Sequence, residues 1–131
     1  MDQTELNKFG NRYAAAWTNQ DPEVVAAFYT DNGKYSINDD APAVGREGVA
    51  NVARAYRAEI PDMQATMNKM VPQPNGAEFH WTIAGTSAAG KRIRLSGIEM
   101  LTFDDSGLIT ESKDIYDAAE FERQMKYGVD G

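Results

Sequence analysis

Cysteine is absent from the 131-residue chain and histidine occurs once. Without a thiol there is no disulfide framework, thiolate nucleophile, zinc ribbon or iron–sulfur cluster. A lone histidine likewise leaves no histidine-rich metal site. Positive charge is scarce: 13 Lys and Arg against 20 Asp and Glu give a formal charge of −7. Nucleic-acid binding needs a basic stripe, so this balance argues against it. No apolar run approaches the roughly 20 residues that span a bilayer. The opening MDQTELNKFG is polar and carries no apolar signal core. Nor is there an internal repeat, a phosphate-binding glycine loop, a nucleophile elbow or a calcium loop. These absences predict a cytoplasmic protein that uses neither metal nor cofactor and has no nucleic-acid or membrane partner.

What remains is ordinary for a globular protein, with 42% hydrophobic and 25% charged residues. One domain over 1–131 is expected, since domains commonly run to about 100–150 residues. Leu6, Phe9, Tyr13, Ala16 and Trp17 recur at helical spacing after a capping box from Asp2 and Glu5. A second helix is marked by Asp21 as cap, Pro22 at its first position and Val24, Val25, Phe28 and Tyr29 as its buried side, ending at Asp31-Asn32-Gly33. After a short segment Lys34–Asp40, a third helix over Arg46–Ile60 stops at Pro61.

The second half changes period. Met63–Val71, Ala77–Ser87, Lys91–Phe103 and Leu108–Tyr116 read as four strands joined by turns of hairpin length, followed by a helix from Asp117 to about Lys126. Helices followed by an antiparallel meander predict an α+β domain whose sheet buries one face against the helices.

Two carboxylates break the apolar pattern of that face. Ile93, Leu95, Gly97, Leu101 and Phe103 share one side of their strand, and Glu99 interrupts them. On the next strand Leu108, Thr110, Ser112, Asp114 and Tyr116 share a side, with Ile109, Glu111, Lys113 and Ile115 on the other. Two acids on neighbouring strands facing one cavity would repel and separate their pKa values, leaving one proton donor and one acceptor near neutral pH. That is general acid/base chemistry without a metal. The alternative is a solvated or paired acid at each position. Tyr13 carries a hydroxyl that could donate to a ligand oxyanion. Trp17, Tyr35 and Trp81 are candidate ligand-packing aromatics, with core packing as the alternative. His80 alternates with Trp81 and should face outward. Asp39 and Asp40 read as a turn, or as a site.

The element order resembles the cone-shaped nuclear transport factor 2-like superfamily, and more closely its SnoaL-like polyketide cyclase branch. Tyr13-Ala-Ala-Ala-Trp17, Tyr29-Thr-Asp31-Asn32, Gly45-Arg46-Glu47-Gly48-Val49 and Ile60-Pro61-Asp62-Met63 carry the likeness in the first half. Gly85-Thr86, Arg92–Leu101, Gly107–Asp117 and Gln124-Met125 carry it in the second. The resemblance implies a curved antiparallel sheet with three N-terminal helices on its concave face and a short C-terminal helix. It also implies a small hydrophobic ligand. The outer face of the sheet shows Ile98, Met100 and Ile115, an apolar set that should be covered, so a homodimer is expected. In the cyclases an aspartate on the last strand is general acid/base, and Asp114 falls on that position. The likeness to ketosteroid isomerase places Tyr13 at the oxyanion-hole tyrosine and Glu99 at the protonated acid. The isomerase's general base falls near Ile37, with Asn38 and Asp39 beside it, so Asp39 is kept as a candidate ligand-binding residue.

The leading expectation is therefore a cofactor-free enzyme acting on a hydrophobic carbonyl compound, of cyclase or isomerase type. Asp114, Glu99 and Tyr13 would be catalytic, and Trp17, Tyr35, Trp81 and Asp39 would bind ligand. The alternatives are a non-catalytic ligand-binding or dimeric module, and an epoxide hydrolase in which an arginine such as Arg92 or Arg94 assists paired acids.

Overall fold

A computed structural model describes residues 1–131 as four helices and six strands: α1 (Gln3–Thr18), α2 (Glu23–Ala26), β1 (Tyr29–Ile37), β2 (Ala43–Val44), α3 (Gly45–Glu59), β3 (Gln64–Gln73), β4 (Gly76–Thr86), β5 (Arg92–Phe103), β6 (Ile109–Ile115) and α4 (Ala118–Tyr127). Helices α1 and α4 begin where their sequence provides a capping side chain. Asp2 Oδ1 accepts from Glu5 N at 2.8 Å and Glu5 Oε1 accepts from Asp2 N at 3.4 Å, a reciprocal cap. Such a cap stabilises by about 1 kcal/mol. Asp117 caps α4 by accepting from Glu120 N at 3.0 Å.

The second helix is shorter than its apolar spacing predicts. Only Glu23–Ala26 is helical, and Tyr29 lies in a strand. The sheet captures this stretch: Ile109 N donates to Phe28 O at 2.8 Å, Tyr29 pairs with Ile109, and Arg46 Nε donates to Tyr29 O at 2.9 Å. Strand β1 thus starts five residues earlier than Lys34, with an irregular register between Tyr29 and Lys34.

The strands form one curved, unclosed sheet in the order β2-β1-β6-β5-β4-β3. The β3–β6 meander is antiparallel, as the turn spacing predicts. The expectation of a wholly antiparallel sheet needs one correction, because β1 runs parallel to β6. These two strands are joined by a long excursion through α3 and the meander, which lets them run the same way.

Helix α1 buries Leu6, Phe9, Tyr13 and Trp17. At Gly10 a Cβ would collide with Met67 and Met70 of β3, so the missing side chain sets how closely helix and sheet approach. One end of the core is a phenylalanine cluster: Phe9 meets Phe28 and Phe103 edge to face at centroid distances of 5.5 and 5.0 Å. The other end holds the cavity described below. Beside the cavity end Arg57 of α3 ties the helices together. Its guanidinium donates to the carbonyls of Trp17, Thr18 and Asn19 at 2.7–3.0 Å, and to those of Pro61 and Met63.

Strand β5 outruns β6, whose pairing begins at the Ile98–Ile115 pair, so the first residues of β5 lack a strand partner on that side. The buried side-chain amide of Gln124 in α4 takes the empty place. Its Oε1 accepts from Arg94 N at 2.8 Å and its Nε2 donates to Arg94 O at 2.9 Å. No helix is long and apolar enough to cross a membrane.

Candidate active site

Strands β5 and β6 set Glu99 and Asp114 directly opposite one another in register. Both point inward, with residue exposures of 1% and 7%. The alternation read from β5 holds throughout: Ile93, Leu95, Glu99 and Leu101 are buried. On β6 it holds for Ser112 and Asp114 but fails at Ile109, which is fully buried rather than outward. The β5–β6 register shifts there, Thr102 pairing with Glu111 and Phe103 with Ile109, so Thr110 is a bulge that resets the facing of the strand's start.

Although opposite, the two carboxylates are held by different partners. Glu99 Oε2 accepts from Tyr13 at 2.9 Å and from Tyr29 at 3.1 Å. Tyr13 and Tyr29 share a further hydrogen bond of 2.7 Å, and Tyr29 shares one of 2.8 Å with Ser112. Asp114 is clamped through both oxygens. Tyr35 donates to Oδ2 at 2.6 Å and Trp81 Nε1 donates to Oδ1 at 2.7 Å. The Trp81 clamp depends on the glycine facing it across β4 and β5. A Cβ at Gly97 would strike the indole and come within 2.7 Å of the Ile115 carbonyl.

Burial raises both acids, and by different amounts. Glu99 is pushed up to about 8, first by desolvation and then by the neighbouring Asp114 charge, against the lowering effect of its hydroxyl partners. Asp114 rises to about 6 through desolvation, offset by its bonds from Tyr35 and Trp81. Near neutral pH the pair therefore holds one proton, on Glu99. Burial and the nearby carboxylates raise Tyr13, Tyr29 and Tyr35, so their hydroxyls stay protonated.

Both acids line one cavity of about 40 Å³, whose wall is otherwise apolar or aromatic. Glu99 Oε2 is turned to the tyrosines, which leaves Oε1 for the cavity. Trp17, Tyr35 and Trp81 also line it, as their candidacy requires.

Two expected site residues lie elsewhere. Tyr13 does not line the cavity: its one hydroxyl proton is shared between Glu99 and Tyr29, so it orients the acid from behind and has none left for a ligand. Asp39 stands fully exposed in the turn after β1, 3.7 Å from Lys113 Nζ, so it is a surface acid. Arg92 and Arg94 are exposed on the other face of β5 and line no part of this cavity. His80 bonds Glu78 Oε1 at 2.9 Å on the outer face of the sheet, as its alternation predicts.

Four members of the site are not among the candidate residues, although Ser112 and Tyr116 share the strand face of Asp114 in the sequence pattern. Tyr29 and Ser112 support Glu99, while Tyr56 of α3 and Tyr116 after β6 line the cavity and join hydroxyls at 2.9 Å. The available signal was the choice of tyrosine over phenylalanine at apolar positions, since a buried hydroxyl has to find a partner.

The model of the SnoaL-like polyketide cyclase family matches residues 8–125. No curated protein matches the sequence. Among solved structures, a hypothetical protein with a ketosteroid isomerase-like fold from Catenulispora acidiphila DSM 44928, in complex with trimethylamine, is similar with a TM-score of 0.80 at 20% identity. The match covers 92% of this chain and 93% of that one, and the likeness is one of fold. With the family's pattern running over most of its length, this chain belongs to the SnoaL-like polyketide cyclase family.

Proposed function

We propose that the protein is a cofactor-free enzyme that moves a proton on a small, hydrophobic carbonyl compound, as a cyclase or an isomerase does. The observation that carries this reading is the pair of cross-strand acids in one apolar cavity, one protonated and one ionised near neutral pH. Glu99 would donate a hydrogen bond from Oε1 to the carbonyl oxygen as negative charge builds there. Asp114 would take the α-proton, leaving an enolate. In an isomerase Asp114 returns that proton to another carbon of the substrate. In a cyclase the enolate carbon attacks a second carbonyl of the same molecule, and the new alkoxide takes the proton back. Trp17, Tyr35 and Trp81 would pack the substrate, while Tyr13 and Tyr29 position Glu99.

The cavity accommodates a compact ring more readily than an extended polyketide. A direct test is proton–deuterium exchange at the α-carbon of cyclic β-diketones and β,γ-unsaturated ketones in D2O, followed by NMR. Catalysed exchange that Asp114→Asn abolishes supports the reading; exchange unaltered by Asp114→Asn refutes it. The epoxide hydrolase reading loses its support, since no arginine lines the cavity. A ligand-binding module is the second reading, favoured by the fold neighbour's complex with trimethylamine. Binding without exchange or turnover would select it.

The outer face of the sheet presents Ile115, 46% exposed, beside partly buried Ile98 and Met100. We propose that a second copy of the chain covers it. Sedimentation equilibrium showing a monomer at micromolar concentration would refute that interface.

A further inference from the structure

We propose that the cavity is a cage for a compact alkylammonium cation, with Asp114 as its counter-charge. This inference concerns what the cavity recognises and goes beyond the proton-transfer reading, which it neither needs nor excludes.

Five aromatic residues and Asp114 close into a ring around the cavity. From Asp114 the chain of contacts passes to Tyr35 by a hydrogen bond of 2.6 Å, then to Trp17 at a centroid distance of 5.8 Å, then to Tyr56 at 6.0 Å. Tyr56 joins Tyr116 through the 2.9 Å hydroxyl bond, Tyr116 meets Trp81 at 5.8 Å, and Trp81 returns to Asp114 at 2.7 Å. All six residues line the same cavity. The Trp17–Tyr56 and Trp81–Tyr116 planes stand at 77° and 76° and the Trp17–Tyr35 planes at 46°, so the rings face in several directions around the cavity. A ring that turns its face to the cavity would offer π-electron density to a guest, which attracts cations.

The charge inside has one sign. No lysine, arginine or histidine lines the cavity, and the groups around Asp114 are Glu99 and the hydroxyls of Tyr35, Tyr56 and Tyr116. An ionised carboxylate held only by neutral dipoles in a nearly dry site is stabilised by an arriving cation. Tyr35 and Trp81 use one lone-pair site on each Asp114 oxygen, and a carboxylate offers about four. A tertiary ammonium could therefore donate its N–H to Asp114, whereas a quaternary one would rely on the rings and the charge. The small volume favours a compact, branched cation over a long chain.

Calorimetric titration near neutral pH and constant ionic strength, with tetramethylammonium chloride and separately with tert-butanol, a neutral molecule of similar bulk, tests the proposal. The expected result is saturable binding of tetramethylammonium about tenfold or more tighter than tert-butanol. Asp114→Asn should weaken the cation by about tenfold and tert-butanol by less than about twofold. Tyr116→Leu, which removes one partly exposed wall, should weaken the cation several-fold. Equal affinities for the two molecules in the wild-type protein, or no saturable uptake of tetramethylammonium, would overturn the cage, and neither comparison depends on a variant folding. Cation binding without α-proton exchange would leave the cage standing and remove the proposed reaction; the reverse result would do the opposite.

Discussion

The two ends of the core are built on the same pair of strands and are opposite in chemistry. At one end β5 and β6 pair Phe103 with Ile109; along the same face, at the other, they pair Glu99 with Asp114. The rings of Phe9, Phe28 and Phe103 interlock edge to face and carry no polar atom to satisfy. Around the acids Phe79 is the one phenylalanine of the cavity wall and the other rings are tyrosine or tryptophan, and each hydroxyl or indole N–H of Tyr13, Tyr29, Tyr35, Tyr56, Tyr116 and Trp81 has a partner. The first end does nothing beyond excluding water, whereas the second gives up some of that stability to keep two carboxylates dry. Division of labour in this fold is thus written at the para position of its aromatic rings.

That contrast can be broken most sharply at Asp114. Asp114→Asn keeps the shape and the capacity to accept from Tyr35, and on the proposed function it should lower turnover by about 100- to 10,000-fold, with thermal unfolding reporting an intact fold. The mirror experiment is Phe9→Ala at the dry end. It should cost about 3–5 kcal/mol in chemical denaturation, while α-proton exchange measured below the unfolding midpoint stays near wild type.

The next largest effect is on pH dependence. Folded Glu99 binds its proton up to about 8 against an ordinary value of 4.5, so the native state holds more protons across that window. Stability should then be greatest on the acid side and fall as pH rises from about 4.5 to about 8, by on the order of several kcal/mol. Asp114 adds a fall of the same sign between 3.8 and about 6. Glu99→Gln should remove most of the decline above pH 6, which urea midpoints at several pH values would show.

A smaller change comes from Gly97→Ala, which pushes the indole of Trp81 off Asp114. It should cost about 1–3 kcal/mol and raise the pH midpoint of the Asp114-dependent rate. Smallest of all, Tyr116→Phe severs the hydroxyl link to Tyr56 at about 0.5–1.5 kcal/mol, and faster ligand release in stopped-flow would be its clearest sign.

The reach of the sequence follows the range of each signal. Helix caps, hairpin turns and the facing of β5 are local, and Asp2, Asp117, Glu99 and Asp114 were legible because a charged or capping residue interrupts a regular period. Tyr29 was misplaced because the spacing of Val24, Val25, Phe28 and Tyr29 suits a helix, and the strand that captures it comes eighty residues later. The parallel β1–β6 pairing is equally non-local. Simple alternation turns Ile109 outward, and the bulge that turns it inward shows only in the pairing with the partner strand. Tyr13 is legible as an aromatic facing the sheet, but the partner of its hydroxyl is not, and Asp39, a candidate by position alone, stands exposed and away from the cavity.

The amide of Gln124 bears on how this chain avoids its neighbours. An unpaired strand edge invites another chain to add a strand, and the start of β5 would be such an edge if its peptide groups were free. By presenting a carbonyl and an N–H to Arg94 in the arrangement of a peptide, Gln124 occupies the slot that an intruding strand would need. The outermost strands are blunted by simpler means, β2 by being two residues long and β3 by Lys69 and Pro72. A protein so guarded against polymerising edge to edge is left with its faces for any contact it makes, and Gln124→Ala should reveal the guard's worth as faster aggregation on mild heating.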